Sequence, residues 1–444
     1  MENLLEKIIQ LEQEHDKLDP EFVSKKRIKL GLRNTDGTGV VAGVTSKGQV
    51  KAFKRDRHGK NIPIPGKLIY CGYDVEDIVA DIEVSGRFGF EETIFLLLTG
   101  ELPTKDNLDG LNRELGERRS IPEKAREVIK INAENDDQMG ALHAAVAVLH
   151  KFDPNPKSTD IREVTRQCVD LIAKFPSLIA YNYCVARDSA HARFVEPRKD
   201  FSTAQNFLYM LTGEEPDIDI ARAFDIALIL HAEHGGGNNS TFTVRTVSSS
   251  LTDTYMAICA GVASLAGHLH GGANEAVMNM MEGIKSHVKD WNDDAEVKAY
   301  LEGLMDKKYG DRSGKIYGMG HAVYVISDPR APILRKKAEH FAQKAGRMDE
   351  YNLYNKVAEL AVQVVKEKKG RDVCVNVDFY SGFLYDMMNI PQELYTPIFA
   401  MSRVSGWAAH RIEEIIQGRL IRPAYISSLK LKGKKFNYLP LDKR

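Results

Sequence analysis

Several features are scarce in this 444-residue chain. Its five cysteines, at 71, 168, 184, 259 and 374, form no CxxC pair. An odd number of widely spaced thiols argues against a disulfide framework and fits a reducing cytoplasm. Excess charge is missing too: 61 basic against 62 acidic residues leave a formal net charge of −1. Nothing in that balance favours nucleic acid or an anionic membrane surface as a partner. No long apolar run is present. The longest uncharged stretch, 254–274, contains four glycines and two histidines, and its strongly apolar part is too short to span a bilayer. The first residues, MENLLEKIIQLEQEHDKLD, are acidic and amphipathic, unlike a secretory signal or a mitochondrial transit peptide. There is no Walker A motif, no internal repeat and no low-complexity tract. Gly37, Gly39 and Ala42 match GxGxxA, but no strand precedes them and no βαβ pattern follows, so they do not mark a dinucleotide site.

What is present is helical periodicity. It predicts helices over 74–100, 122–150, 160–186, 201–213, 219–234, 251–267, 274–288, 331–345, 351–369 and 392–417. Strand signals are few. Residues 39–53 alternate around a glycine-containing turn and read as a hairpin, and DVCVNVD (372–378) is a short β-branched run. The expected fold class is all-α with minor β near the N-terminus. The charge- and glycine-rich segment 290–330 marks a lobe boundary nearby.

The chemistry-bearing residues gather around glycines. HAEHGGGNN holds His231, Glu233 and His234; GHLHGGANEA holds His268 and His270; GMGHAVYVISDPR holds Gly318, Met319, Gly320, His321 and Arg330. A single histidine in a turn is usually structural, and HxxH with HxH also raises a metal site, although HExxH is absent. In LYTPIFAMSRVSGWAAHRIEEII, Thr396 and Pro397 look like an N-cap and first helical residue. Phe399, Arg403 and Trp407 there share one helical face, and a buried guanidinium needs an anion. Asp378 closes the CVNVD run, as a helix cap or as a functional carboxylate. Arg422 precedes Pro423 in a non-helical tail. Three glycine-flanked histidines (234, 270, 321), one carboxylate (378) and three arginines (330, 403, 422) suit a small polyanionic substrate and enolate chemistry. No nucleophilic Ser or Cys elbow accompanies them.

In order and spacing, HAEHGGGNNSTFTVR, GHLHGGANEAV, GMGHAVYVISDPR, NVDFYSGFLY and SRVSGWAAHRIEE…LIRPAYIS resemble the successive motifs of the citrate synthase family, and FEETIFLLLTGELPT (90–104) resembles its N-terminal half. The resemblance covers roughly residues 35–430. It implies a mostly α-helical homodimer with a large domain (1–274 and 386–444) and a small domain (275–385). It implies condensation of acetyl-CoA with oxaloacetate to citrate and CoA, without metal or resident cofactor. By motif position, His270, His321 and Asp378 match the catalytic triad, and His234, Arg330 and Arg403 match oxaloacetate ligands. Arg422 matches the arginine reaching the other subunit's site, and 317–321, with Gly318, Met319 and Gly320, matches the loop around the CoA adenine. Cys71 departs from the family pattern, standing where many relatives have arginine. Two other readings remain: 2-methylcitrate synthesis from propionyl-CoA with the same residues, and a metal-dependent hydrolase built on the HxxH and HxH histidines.

Overall fold

The computed structural model describes residues 2–34, 36–133, 137–427 and 437–443. Among them are eighteen α-helices and one three-stranded antiparallel sheet, ordered β1-β2-β3. The expected class, mainly α with minor β near the N-terminus, is what the chain adopts. Met1–Ala42 and Ile421–Arg444 form one compact unit, and Gly43–Leu420 forms the other. No helix among the described residues is long and apolar enough to cross a membrane.

The sheet consists of β1 (Gly48–Arg55), β2 (Asn61–Tyr70) and β3 (Tyr73–Asp74). The hairpin therefore lies further along the chain than 39–53. Its turn is 56–60, where the Asp56 carboxylate accepts the backbone N–H groups of His58 and Lys60 and Gly59 takes a left-handed φ of 78°. Alternation on β2 turns Gly66, Leu68 and Tyr70 inward. Gly66 has no room for a side chain: a Cβ there would stand 2.1 Å from the Ser327 carbonyl oxygen. Its N–H donates to Ser327 Oγ at 3.1 Å, so the sheet braces the segment that carries His321 and Arg330.

Most predicted helices form, with local differences. Residues 74–100 divide into Val75–Ser85 and Phe90–Thr99, because Gly86 adopts φ 66° as a left-handed C-cap. Residues 122–150 likewise contain two helices, Glu123–Asn132 and Gln138–Leu149. Lys105–Arg118 is a further helix, with Leu108, Leu111 and Leu115 at i, i+3 and i+7, Leu115 buried and Leu111 packed against the core. The run 372–378 is not a strand. Its one ladder contact is an isolated bridge between Val375 and Met319, after which the helix Val377–Met387 begins. That helix buries most of its circumference, which hides its period.

The helix Tyr395–Gln417 lies at the centre. It packs against Ile161–Arg187, Asn239–Ser248 and Thr254–Ala266, and it buries Arg403, Trp407, His410, Arg411, Glu413 and Glu414. It starts at Tyr395, directly after the 3-10 turn Gln392–Leu394, so Thr396 is not its N-cap. The Thr396 hydroxyl instead donates to the Gly271 carbonyl at 3.1 Å, tying the helix to the His270 turn.

Candidate active site

His270 sits in the turn between Thr254–Ala266 and Ala273–His287. Its Nε2 accepts the Ser240 backbone N–H (3.3 Å), one of the unsatisfied donors of the first turn of Asn239–Ser248. A nitrogen that accepts an amide carries no proton, so the ring proton is on Nδ1. Burial, followed by the nearby Arg403 guanidinium, pushes the His270 pKa down to about 4. The imidazole is thus a neutral Nδ1–H donor. The helix end that bonds the ring is that of Asn239–Ser248, whose positive N-terminus favours the neutral form. Ser240 Oγ lies 2.9 Å from Nε2, donates to Asn238 Oδ1 and accepts from Trp407 Nε1.

His321 has the opposite tautomer. Its Nδ1 accepts the backbone N–H groups of Val323 (2.9 Å) and Tyr324 (3.1 Å), leaving the proton on Nε2. Its ring lies 4.9 Å, centroid to centroid, from His234 and 4.6 Å from Tyr324. His234 is buried, and its Nε2 has no hydrogen-bond partner within the protein. Burial, and then the charge of Arg330, hold it well below the usual histidine range, so it too is neutral.

Two arginines supply positive charge. Arg330 opens the helix Arg330–Ala345 and grips Asp328 with two parallel bonds, Nε to Oδ1 at 2.9 Å and Nη2 to Oδ2 at 2.7 Å. Arg403 is fully buried; its Nε donates to the His231 carbonyl at 2.7 Å, its plane lies over Phe399, and its Nη1 has no partner. A buried guanidinium N–H left open in this way calls for an anion. Its charge reaches His234, His270 and Asp378, which marks it as the centre of the group.

Asp378 occupies the first turn of Val377–Met387, held there by the Asn376 side chain, which accepts the Asp378 N–H at 3.0 Å as N-cap. Burial pushes its pKa up to about 6, against the lowering influence of Arg330 and Arg403. A carboxylate so destabilised is a stronger base than a solvated one yet still ionised at neutral pH. Below about pH 6 the group is protonated and cannot accept a proton. Activity at low thioester concentration should therefore fall about tenfold per pH unit below that point. A pH–rate profile of kcat/KM checks this, and a flat profile down to pH 5 would contradict it.

The 318–320 loop is fixed to the segment preceding Asp378. Gly320 N–H donates to the Cys374 carbonyl (2.7 Å), Asn376 N–H to the Gly318 carbonyl (3.0 Å), and Asn376 Nδ2 to the Gly320 carbonyl (3.0 Å). Gly318 at φ 74° has no space for a Cβ, which would stand 2.6 Å from the Phe379 ring. Arg422 is exposed in the extended segment after Gly418, whereas every other residue of the cluster belongs to Gly43–Leu420. Cys71, at φ 49°, satisfies itself locally, its thiol on the Leu96 carbonyl at 3.3 Å. No group of three His, Cys, Asp or Glu among the described residues is placed to hold a metal ion. His231 of the HxxH pair is committed to the Ala227 carbonyl at 2.7 Å.

A family model described as "Citrate synthase, C-terminal domain" matches residues 37–424. This chain belongs to the citrate synthase family. The citrate synthase of Haloferax volcanii is 39% identical over 85% of this chain and 93% of its own length. That of Deinococcus radiodurans is 41% identical over 81% and 88%. A 2-methylcitrate synthase from Shewanella oneidensis is 33% identical over 80% and 87%. Among solved structures, the Thermoplasma acidophilum citrate synthase in ternary complex with carboxymethyl coenzyme A and oxaloacetate superposes with TM-score 0.75. It is 28% identical, covering 94% of this chain and 99% of that one.

Within this member of the citrate synthase family, motif reading missed three residues that organise the site: Asp328, Ser240 and Asn376. For Ser240 and Asn376, both common polar residues, the partners are distant in sequence or on the backbone. For Asp328 the signal was available, since DPR puts a carboxylate two residues before a buried arginine. Asp328→Asn should leave Arg330 with an uncompensated buried charge, a loss of about 3–5 kcal/mol in stability. Denaturant unfolding measures it; a loss under 1 kcal/mol would mean that water already screens the pair.

Proposed function

We propose that this chain condenses acetyl-CoA with oxaloacetate and water to give citrate and CoA. One observation carries the reading. Two neutral imidazoles with opposite proton positions, a base with raised pKa and a buried arginine with an open N–H occupy one site. Asp378 would remove a methyl proton from the thioester. The enol oxygen would take a hydrogen bond from His270 Nδ1–H. The enol carbon would attack the oxaloacetate ketone, whose oxygen would receive the proton of His321 Nε2. Water would then cleave the resulting thioester and release CoA. His234 Nε2, Arg330 and Arg403 Nη1 would hold the acceptor, and Gly318, Met319 and Gly320 would line the adenine end of CoA. None of these steps requires a metal or a resident cofactor.

The finer organisation belongs to the same proposal. Residues 275–385, with His321, Arg330 and Asp378, would form a small domain against 1–274 and 386–444, and oxaloacetate would draw the two together. Two chains would associate, with Arg422 of one completing the site of the other. The exposed apolar side chains of Tyr425, Ile426, Tyr438 and Leu441 support a covered surface in that unit. Five free thiols support a reducing cytoplasm.

CoA release from acetyl-CoA and from propionyl-CoA, each with oxaloacetate, tests the function. Higher kcat/KM with acetyl-CoA is expected, in keeping with the higher identity to citrate synthases. Preference for propionyl-CoA would make the enzyme a 2-methylcitrate synthase; a single methylene is worth only about 1–3 kcal/mol of discrimination. No thiol release with either thioester would overturn the proposal.

A further inference from the structure

Next to the site lies a buried carboxylate that the reaction does not use. Glu233 is completely buried. Its Oε1 accepts the Gly235 N–H at 2.6 Å and His410 Nε2–H at 2.9 Å. The Nδ1 of His410 faces Arg245 Nη1 at 2.9 Å; a guanidinium only donates, so that ring is a neutral relay with its proton toward Glu233. Arg245 is in turn paired with Glu413 and Glu414. The other oxygen, Glu233 Oε2, has no partner in the protein. It abuts the Arg403 helix one turn beyond Arg403, where a Cβ on Gly406 would come within 2.5 Å of it. Arg403 Nη1 is likewise buried and unpartnered, and Glu233 is the strongest opposite charge acting on that guanidinium. Tyr70, Arg330, Asp378 and the imidazoles of His231, His234 and His270 also interact with Arg403. Two buried, unpartnered atoms thus belong to groups of opposite charge that attract each other with no hydrogen bond between them.

We infer that Glu233 is a positioning residue, an internal counter-anion that balances Arg403 while the site is empty, at the expense of oxaloacetate affinity. The inference rests on the oxaloacetate reading above. Coulomb attraction without a hydrogen bond stabilises the empty arginine and leaves Nη1 open. The same negative charge opposes an arriving carboxylate. A residue whose role is only to hold the fold would weaken ligand binding when altered. A counter-anion strengthens it.

The test is calorimetric titration of the full-length wild type, Glu233→Gln and Glu233→Asp with oxaloacetate alone, with melting curves for each. Glutamine keeps the volume and an acceptor for Gly235 and His410 but removes the charge. Oxaloacetate should bind Glu233→Gln about tenfold tighter than wild type, while the unliganded variant melts at lower temperature. Glu233→Asp, which retains the charge, should bind within about twofold of wild type. Equal or weaker binding by Glu233→Gln overturns the inference. If that variant is unfolded when empty, oxaloacetate must restore folding by mass action, and failure to do so overturns it equally. Wild type that does not bind oxaloacetate overturns the site reading itself, a result distinct from the other two.

Discussion

Asp378→Asn should lower kcat by about 10³-fold, within the range for removal of a positioned base. The amide fits the same place: Asn376 would still cap the helix through the residue 378 N–H, and the half-buried position loses only its ability to take a proton. Because burial raises the pKa of this carboxyl to about 6, its ionised form at pH 7 is held against the preference of the fold. The variant should therefore melt at or above the wild-type temperature and bind oxaloacetate with similar affinity. A drop in melting temperature alongside lost turnover would recast Asp378 as a structural residue. Turnover near that of wild type would remove it from the chemistry altogether.

Arg403→Lys should be nearly as severe although charge is retained. The arginine works through geometry: Nε fixes the His231 carbonyl, the plane lies over Phe399, and Nη1 remains open. An ammonium is a single point and cannot satisfy the carbonyl and a substrate carboxylate together. Steady-state kinetics should give an oxaloacetate KM raised about 10²-fold, the order of one lost charge-assisted bond plus the buried group left unpaired, with the acetyl-CoA KM much less affected. An unchanged oxaloacetate KM would mean that Arg403 serves only to hold the 231–233 turn.

Much of this was legible in the sequence where chemistry and backbone demands coincide. His234, His270 and His321 stood out because each abuts glycines, and the structure gives reasons at two of them: the His270 turn meets Thr396 and the Ser240 amide, and Gly318 faces Phe379 without room for a side chain. Arg403 stood out as a charge on an apolar helix face. The environment of Asp378 did not. CVNVD alternates like a strand, yet only Val375 finds a ladder partner, because the segment pairs with a single loop rather than with a sheet. The Thr396 start signal failed because the 3-10 turn Gln392–Leu394 runs straight into the helix, which places Thr396 inside it, where its hydroxyl donates to the Gly271 carbonyl. The charge relay through Glu233, His410, Arg245 and Glu413 joins residues up to 180 positions apart, and no local pattern encodes it.

The central claim is that this cluster lets Asp378 deprotonate acetyl-CoA only for condensation with oxaloacetate. Thiol release from acetyl-CoA, followed in wild type and Asp378→Asn with and without saturating oxaloacetate, tests it most directly. Wild type should release thiol rapidly and only with oxaloacetate, and Asp378→Asn about 10³-fold more slowly at unchanged oxaloacetate affinity. Release by wild type at the same rate without oxaloacetate, or by Asp378→Asn at the wild-type rate, would contradict it.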